Sequence, residues 1–214
     1  MKDKDLQQNV LDELNWEPSV NAAHIGVTAN DGVVTLTGTV SSYAEKDAAE
    51  RAAGRVYGVK GIADELKVSY PSDMQIDDAS IAKRALQVLS WDGMVPQTVT
   101  VRVENGWLTL SGETNWNYQK DAAEFDVQKL SGVVGVTNDI TIKPTVQASA
   151  VKEKIVGALG RNAQIEADNI TVTADGGKVT LAGDVDTWYE RDLAETTAWS
   201  APGVTQVSNK LSVI

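Results

Sequence analysis

The chain has 214 residues, with 19 Lys and Arg against 30 Asp and Glu, and therefore a formal net charge of −11 at pH 7. It contains no cysteine and a single histidine, His24, which excludes disulfide scaffolds, cysteine nucleophiles and cysteine-bearing zinc modules. The acidic balance argues against a nucleic-acid partner, because phosphate contacts require clustered Lys and Arg side chains.

The N-terminal segment is polar and lacks the apolar core and small-residue cleavage site of a secretory leader. No stretch approaches the roughly 18 apolar residues that a membrane-spanning helix needs. We therefore expect a protein without a transmembrane segment that is cytoplasmic, or periplasmic if a leader has been removed. The absence of cysteine is compatible with either compartment.

The first predicted elements alternate between helical and strand-like patterns. Apolar residues at helical spacing predict a first helix, at Leu6, Val10, Leu11 and Leu14. Alternation at Ile25 and Val27 then predicts a strand, and Asp31-Gly32 predicts a tight hairpin turn, because type I′ turns need positive φ. After a second strand, Ser42-x-x-Glu45 has the capping-box pattern of a second helix, which ends near Gly58 before a closing strand.

The same succession occurs three times. Residues 30–38, 104–112 and 175–183 all fit the pattern turn-Gly-x-aliphatic-Thr-Leu-small-Gly. Their first glycines, Gly32, Gly106 and Gly177, lie 74 and then 71 residues apart, and each precedes its partner glycine by six residues. The pattern predicts an α+β fold of three tandem αββαβ domains, each a three-stranded sheet with two helices on one face.

We place the three predicted domains at residues 1–71, 75–144 and 147–214. Proline and polar residues interrupt the repeat near Pro71 and Pro144, which is typical of domain boundaries. The linkers are only a few residues long, so we expect the domains to pack closely. Net charges of −4, −4 and −3 for residues 1–71, 72–145 and 146–214 show that the acidity is a property of every repeat.

The glycine-framed Thr-Leu run, followed by Gly-Val and a closing strand, resembles the BON domain in all three copies. That module is found in the hyperosmotically inducible periplasmic protein of bacteria and in some secretin-associated, channel and outer-membrane proteins. The resemblance implies an αββαβ fold, no catalytic residues, and a role in binding phospholipid surfaces or supporting the envelope under osmotic stress. One departure is Gln206, where the other copies have Gly61 and Gly135.

Aromatic residues recur at the corner between the second strand and the second helix of each copy. They are Tyr43 in the first copy, Trp116 and Tyr118 in the second, and Trp188 and Tyr189 in the third. Aromatic side chains with a polar tip suit a membrane interface or a protein contact. We expect these five residues to bind a phospholipid surface or an envelope protein. The alternative is that they pack over the start of the helix as hydrophobic staples.

We make separate predictions for three further tryptophans. Trp16 and Trp91 follow the first helix of their copies, and we expect them to fill the core beneath the helix end. Trp107 occupies an outward strand position and predicts an inter-domain contact. No basic cluster is present to attract anionic lipids, so any lipid contact would depend on aromatic insertion or on a patch formed only in three dimensions.

The sequence offers no set of residues typical of an active site, a metal site or a cofactor site. A repeated Lys/Arg-Asp-x-x-Glu motif places Lys46 and Glu50 at helical i,i+4 spacing, which predicts exposed ion pairs. We therefore expect no cofactor and no enzymatic activity, and favour a binding or scaffold protein. A potassium or small-metabolite sensor is the alternative, because BON domains also occur in a potassium-binding bacterial protein, beside a module that this chain lacks. The oligomeric state stays open.

Overall fold

The computed structural model describes residues 2–70, 76–143, 151–162, 165 and 167–214, in which three αββαβ units follow one another. The first unit comprises α1 (Asp3–Trp16), β1 (Ile25–Asn30), β2 (Val33–Val40), α2 (Tyr43–Gly54) and β3 (Gly61–Val68). The second comprises α3 (Asp78–Trp91), β4 (Thr100–Glu104), β5 (Trp107–Thr114), α4 (Asn117–Val127) and β6 (Gly135–Ile142). The third comprises α5 (Val151–Leu159), β7 (Ile170–Asp175), β8 (Lys178–Val185), α6 (Trp188–Trp199) and β9 (Gln206–Val213). The predicted boundary prolines, Pro71 and Pro144, lie outside the described residues.

Each unit has a three-stranded sheet with the second strand at its centre. In the first unit β1 and β2 form an antiparallel hairpin, and β3 returns through α2 to pair parallel with β2. The other two sheets repeat this order and these directions. The predicted turn is formed as expected, with φ of 50° at Asp31 and 84° at Gly32. The expected fold class, three α+β units in tandem, is confirmed.

Both helices of a unit cover the same face of its sheet. In the first unit Leu6, Val10 and Leu14 of α1 share one buried cluster with the alanines of α2 and with Val34 and Leu36 of β2. The second and third units have equivalent clusters of their own. The small alanines let α2 approach the sheet closely, so each repeat of about 70 residues builds a separate core.

The second glycine of the repeated motif is required by backbone contact. Gly38 has φ of +118°, and a Cβ there would overlap the carbonyl oxygen of His24, the residue just before the paired strand. Gly112 and Gly183 have the same conformation, and a Cβ would meet the carbonyl oxygens of Thr98 and Asn169. Only glycine combines this φ with so close an approach between strands, which explains why the motif closes with it in every copy.

The expected i,i+4 ion pairs of the second helices are wrong. Lys46 Nζ instead reaches β3, where it lies 3.0 Å from Asp64 Oδ2 and donates to the carbonyl oxygen of Leu66 at 2.7 Å. The equivalent Arg191 donates to the carbonyl oxygens of Asn209 and Leu211. In the first and third domains the basic residue therefore ties the second helix to the closing strand, because a partly buried backbone acceptor is available there. None of the described helices is long and apolar enough to cross a membrane.

Candidate functional site

The second helix of each domain starts at a corner that is fixed by local hydrogen bonds. Ser42 Oγ accepts from the backbone N–H of Glu45 at 3.2 Å, and Thr187 Oγ1 accepts from that of Glu190 at 3.1 Å, as the capping pattern predicts. In the second domain Gln119 Oε1 instead accepts the backbone N–H groups that precede α4, at 3.0 and 3.2 Å. The first helical residue therefore projects from a rigid corner, and it is Tyr43, Asn117 and Trp188 in the three copies.

The corner residue of the third domain contacts the first domain. Trp188 is half-buried against the first domain's core, and its Cβ lies 3.7 Å from the place a Cβ would take on Gly54, the last residue of α2. The guanidinium of Arg191 lies over the indole, 4.8 Å from the ring centroid. The indole Nε1 is buried and has no hydrogen-bond partner among the described residues.

The space beside Trp188, called here the 1–3 cleft, has a volume of about 520 Å³. The first domain contributes two guanidinium groups to its lining, from Arg51 and Arg55, and the third domain contributes Tyr189 and Asp192. Arg55 is held at 2.9 Å from both Glu13 and Glu17 of its own domain, and those carboxylates raise its pKa further. The 1–3 cleft is therefore lined by an indole and by side chains of both charges, since Asp47, Glu50 and Asp192 lie beside the two guanidinium groups.

The corner residue of the first domain contacts the second domain in the same manner. Tyr43 packs against the second domain's core and hydrogen-bonds the backbone of Val136. Burial raises the pKa of the Tyr43 phenol, and the nearby Glu124 and Asp47 carboxylates raise it further. Tyr70, just after β3, donates to the carbonyl oxygen of Val133 at 2.9 Å. Both tyrosines of the first domain therefore contact the second domain.

The corner of the second domain faces the third domain, and here the small residue is at the corner and the large residue is at the end of the neighbouring helix. The corner residue is the small Asn117, whereas Trp199 stands at the end of α6, four residues before Gly203. Gly54 and Gln128 hold the equivalent positions before Gly58 and Gly132. This 2–3 cleft has a volume of about 520 Å³ and aromatic walls from both domains, Trp116, Tyr118 and Trp199. Trp199 is the tryptophan to which the sequence interpretation gave no structural role.

The three contacts run in cyclic order, because the corner of each domain meets the second helix of the next. Asp47, Asp121 and Asp192 occupy equivalent positions, and each of them lines clefts towards both neighbouring domains. Desolvation at the domain junctions raises the pKa of all three carboxyls. Glu195 raises the pKa of Asp121 and Asp192 further, whereas Arg51 and Arg191 lower the pKa of Asp47 and Asp192 respectively.

The structure therefore separates the five corner aromatics that the sequence grouped together. Tyr43 and Trp188 lie between domains, while Trp116 lines the 2–3 cleft with Tyr118. Tyr118 and Tyr189 are the exposed members, at 54% and 43% of their surface. Within the described part of the chain, no group of three or more His, Asp and Glu residues could hold a metal ion.

The expectation that Trp16 and Trp91 fill the core is wrong, because they are 84% and 74% exposed. The buried side of α1 ends at Leu14, and a residue two positions further lies about 200° around the helix. Trp91 stands in the same relation to Leu89 of α3. The positions of these indoles around the helix, relative to the buried leucines, therefore indicate from the sequence alone that they point away from the core.

The expected inter-domain contact of Trp107 is also wrong. Its indole lies across its own sheet, in the space that a Cβ on Gly135 of the paired strand would occupy. Nε1 donates to Thr137 Oγ1 at 2.8 Å. The absence of a side chain at Gly135 explains how this large residue is accommodated on the outward face of the sheet.

Comparison with known proteins gives one family across nearly the whole chain. The sequence model of the BON domain matches residues 2–70, 77–144 and 147–214. Osmotically-inducible protein Y of Escherichia coli K12 is 28% identical over 148 residues, which cover 67% of this chain and 74% of that protein. A solved structure of CdsD, a type III secretion protein of Chlamydia trachomatis, is 18% identical over 98% of this chain and 92% of its own, and its TM-score of 0.26 supports no argument.

Proposed function

The chain belongs to the BON domain family, with three BON domains in tandem, and from that premise we propose that it is a non-catalytic binding protein of osmotic or envelope stress. Its partner in this proposal is a phospholipid surface or an envelope protein, contacted through aromatic side chains. The family match and the similarity to osmotically-inducible protein Y support the stress role. The exposed aromatic side chains and the net charge of the chain support the mode of contact.

The observation that carries the proposal is the pair of indoles at equivalent helix ends. Trp16 and Trp91 are the most exposed large apolar side chains of their two domains, and the third domain has Arg161 after its first helix. Indoles at a protein surface suit the boundary between water and lipid, because the ring is apolar and its N–H is polar. We assign the contact to Trp16 and Trp91, together with the exposed corner residues Tyr118 and Tyr189.

The charge of the chain narrows the kind of membrane that this surface fits. A net charge of −11 repels anionic headgroups, and each repeat is acidic. Burial of indole rings needs no charge attraction and is about as effective at a neutral surface. The proposal therefore favours zwitterionic lipid, whereas binding to anionic lipid should be weaker at low salt and should strengthen when salt screens the repulsion.

Co-sedimentation with phosphatidylcholine and phosphatidylglycerol vesicles, at low and high salt, tests the proposal. We expect binding to phosphatidylcholine that the double substitution Trp16→Ala and Trp91→Ala reduces at least tenfold. Trp107→Ala is the matched control, because that indole is half-exposed but lies on its own sheet. Undiminished binding by the double variant would refute the assignment of these residues. If neither vesicle binds, a pull-down from osmotically stressed cells tests the protein partner with the same variants.

The alternative, a potassium or small-metabolite sensor, is tested with the same protein. Thermal unfolding in matched potassium and sodium chloride series separates a specific potassium effect from one of ionic strength. A rise in melting temperature confined to potassium would favour the sensor over the contact surface.

A further inference from the structure

The 2–3 cleft differs from the other domain junctions in what its walls offer to a ligand. Two aromatic side chains of the second domain, Trp116 and Tyr118, share its lining with Trp199 of the third domain. Trp116 and Trp199 are half-buried and Tyr118 is 54% exposed, so these side chains are held by their domains without being covered. The faces of aromatic rings carry negative potential, which suits an aromatic-walled cleft to a positively charged ligand.

Three polar groups at this cleft already have hydrogen-bond partners. Asn117 Nδ2 donates to Asp121 Oδ2 at 2.7 Å, and Ser200 Oγ donates to the carbonyl oxygen of Thr196 at 2.9 Å. The indole N–H of Trp199 donates to Glu195 Oε1 at 3.5 Å. A ligand that must form many hydrogen bonds would have to displace these contacts, whereas one that needs none would not.

The charge at this junction is predominantly negative. Asp121 lines the cleft, and an adjoining cavity of about 390 Å³, which shares Asn117, Asp121, Thr196 and Trp199, adds Asp192 and Glu195. Lys120 is the basic side chain of that adjoining cavity. The 1–3 cleft also has three carboxylates, but it adds the two guanidinium groups of Arg51 and Arg55, and Trp188 packs against Gly54 there.

We propose that the 2–3 cleft binds a small organic cation that carries a quaternary ammonium group. A methylated ammonium has no N–H to satisfy, is attracted to ring faces and is neutralised by a nearby carboxylate, which matches the three properties of this cleft. Trp116, Tyr118 and Trp199 supply the ring faces, and Asp121 supplies the carboxylate. This site goes beyond the proposed surface contact, because it shares only Tyr118 with that contact and uses none of Trp16, Trp91 and Tyr189.

Titration of the full chain with choline and with tetramethylammonium, followed by calorimetry and tryptophan fluorescence, tests the site. We expect saturable binding of both cations and none of 3,3-dimethyl-1-butanol, the neutral isostere of choline. Trp199→Ala should weaken binding about tenfold or more, and Trp199→Phe should restore part of it, because a smaller ring keeps part of the attraction. Equal binding of the neutral isostere, or unchanged binding by Trp199→Ala, would overturn the proposal.

Two further variants keep the test decisive if Trp199→Ala fails to fold. Asn117→Trp should fill the cleft and abolish choline binding, and Asp121→Asn should weaken it several-fold while leaving the aromatic walls in place. Trp16→Ala with Trp91→Ala is the control, and it should bind choline like the natural chain. Retention of full affinity by both Asn117→Trp and Asp121→Asn would place the cation elsewhere.

A quaternary ammonium group occurs both in free solutes and in lipid headgroups, and competition separates the two sources. If saturating choline displaces the chain from phosphatidylcholine vesicles, the headgroup is the ligand of the cleft. If choline binds and the vesicle interaction is unaffected, the ligand is a free solute. Failure of choline binding with intact vesicle binding would overturn this site and leave the proposed function standing. Choline binding without any vesicle binding would support this site and count against the proposed lipid contact.

Discussion

The 1–3 cleft and the 2–3 cleft are built from the same two positions of the repeat and have the same volume, about 520 Å³, yet the large residue stands on opposite sides of the two clefts. In the 1–3 cleft a large corner residue, Trp188, covers the small Gly54 at the end of the neighbouring helix. In the 2–3 cleft the small Asn117 faces the large Trp199. The exchange of sizes shows that a pair of facing positions can change between copies while the cores beneath them stay the same.

The largest expected effect comes from removing the indole that packs across the junction of the first and third domains. Trp188→Ala should lower the free energy of unfolding by about 2 kcal/mol, below the range for fully buried tryptophan because Trp188 is only half-buried. Chemical denaturation measures this loss. Trp199→Ala is the matched comparison, and we expect it to cost less, since Trp188 packs against the core of another domain whereas Trp199 packs against the core of its own. An equal or larger cost for Trp199→Ala would contradict the distinction between the two clefts.

Overfilling the same contact should have the next largest effect. Gly54→Trp would place two indoles in the space of one and should destabilise the chain by about 1 to 2 kcal/mol. Gly54→Ala is the control, because its Cβ would lie 3.7 Å from Trp188 Cβ, an ordinary contact distance. Alanine should therefore be neutral or stabilise by up to about 1 kcal/mol through its helix preference. A destabilising Gly54→Ala would show that the contact is tighter than described.

A double-mutant cycle can exchange the large and the small residue of the 2–3 cleft. Asn117→Trp combined with Trp199→Gly recreates the Trp188–Gly54 pair at the junction of the second and third domains. The double variant should be more stable than the sum of the single variants by about 1 kcal/mol, because only together do the new residues have complementary sizes. Denaturation of the four proteins gives the coupling free energy. Strict additivity would mean that the two positions do not meet.

The smallest effect concerns the carboxyls that all domain junctions share. The pKa values of Asp47, Asp121 and Asp192 are raised by desolvation, so the folded chain binds their protons more tightly than the unfolded chain. Their contribution to stability therefore falls as the pH rises from the unfolded pKa through the raised folded pKa. Replacing all three by Asn should stabilise the chain at pH 7, by no more than about 1 kcal/mol because the groups are partly exposed.

The advantage of that triple variant should vanish near and below the pH at which unfolded aspartate titrates. A second triple variant, Asp12→Asn, Asp139→Asn and Asp184→Asn, removes the same number of charges from exposed positions, one in each domain. Denaturation midpoints of the natural chain and both variants, measured from pH 4 to pH 8, separate the junction from general charge. Identical profiles for the two variants would show that the junction carboxyls have no special role.

The fold could be predicted because its determinants are local and occur three times. Asp31-Gly32 encodes a hairpin turn through its own φ preference, and the spacing of Leu6, Val10 and Leu14 identifies one buried helix face. The same spacing would have placed Trp16 on the exposed side, had its angle around the helix been compared with that of Leu14. The αββαβ order needed no information from beyond each repeat.

The candidate site could be predicted only in part, because it depends on contacts between domains. The corner position of Tyr43, Trp116, Tyr118, Trp188 and Tyr189 follows from the repeat, but a corner residue meets a different neighbour in every copy. Nothing near Trp188 in the sequence identifies Gly54 as its partner. Likewise Lys46 could not be assigned to Asp64 without the parallel pairing of β2 with β3, which brings the closing strand beside α2.

The head-to-tail order of the corner contacts has a consequence for chains that are incomplete or highly concentrated. The contact between Trp188 and Gly54 joins the last domain to the first, so within one chain it closes a circle. The same two surfaces can also join the last domain of one molecule to the first domain of the next, and repetition of that step gives an open filament instead of a circle. Tethering favours the circle at low concentration through its high effective molarity. Removal of the third domain leaves the Gly54 surface uncovered and able to recruit the third domain of an intact chain in trans.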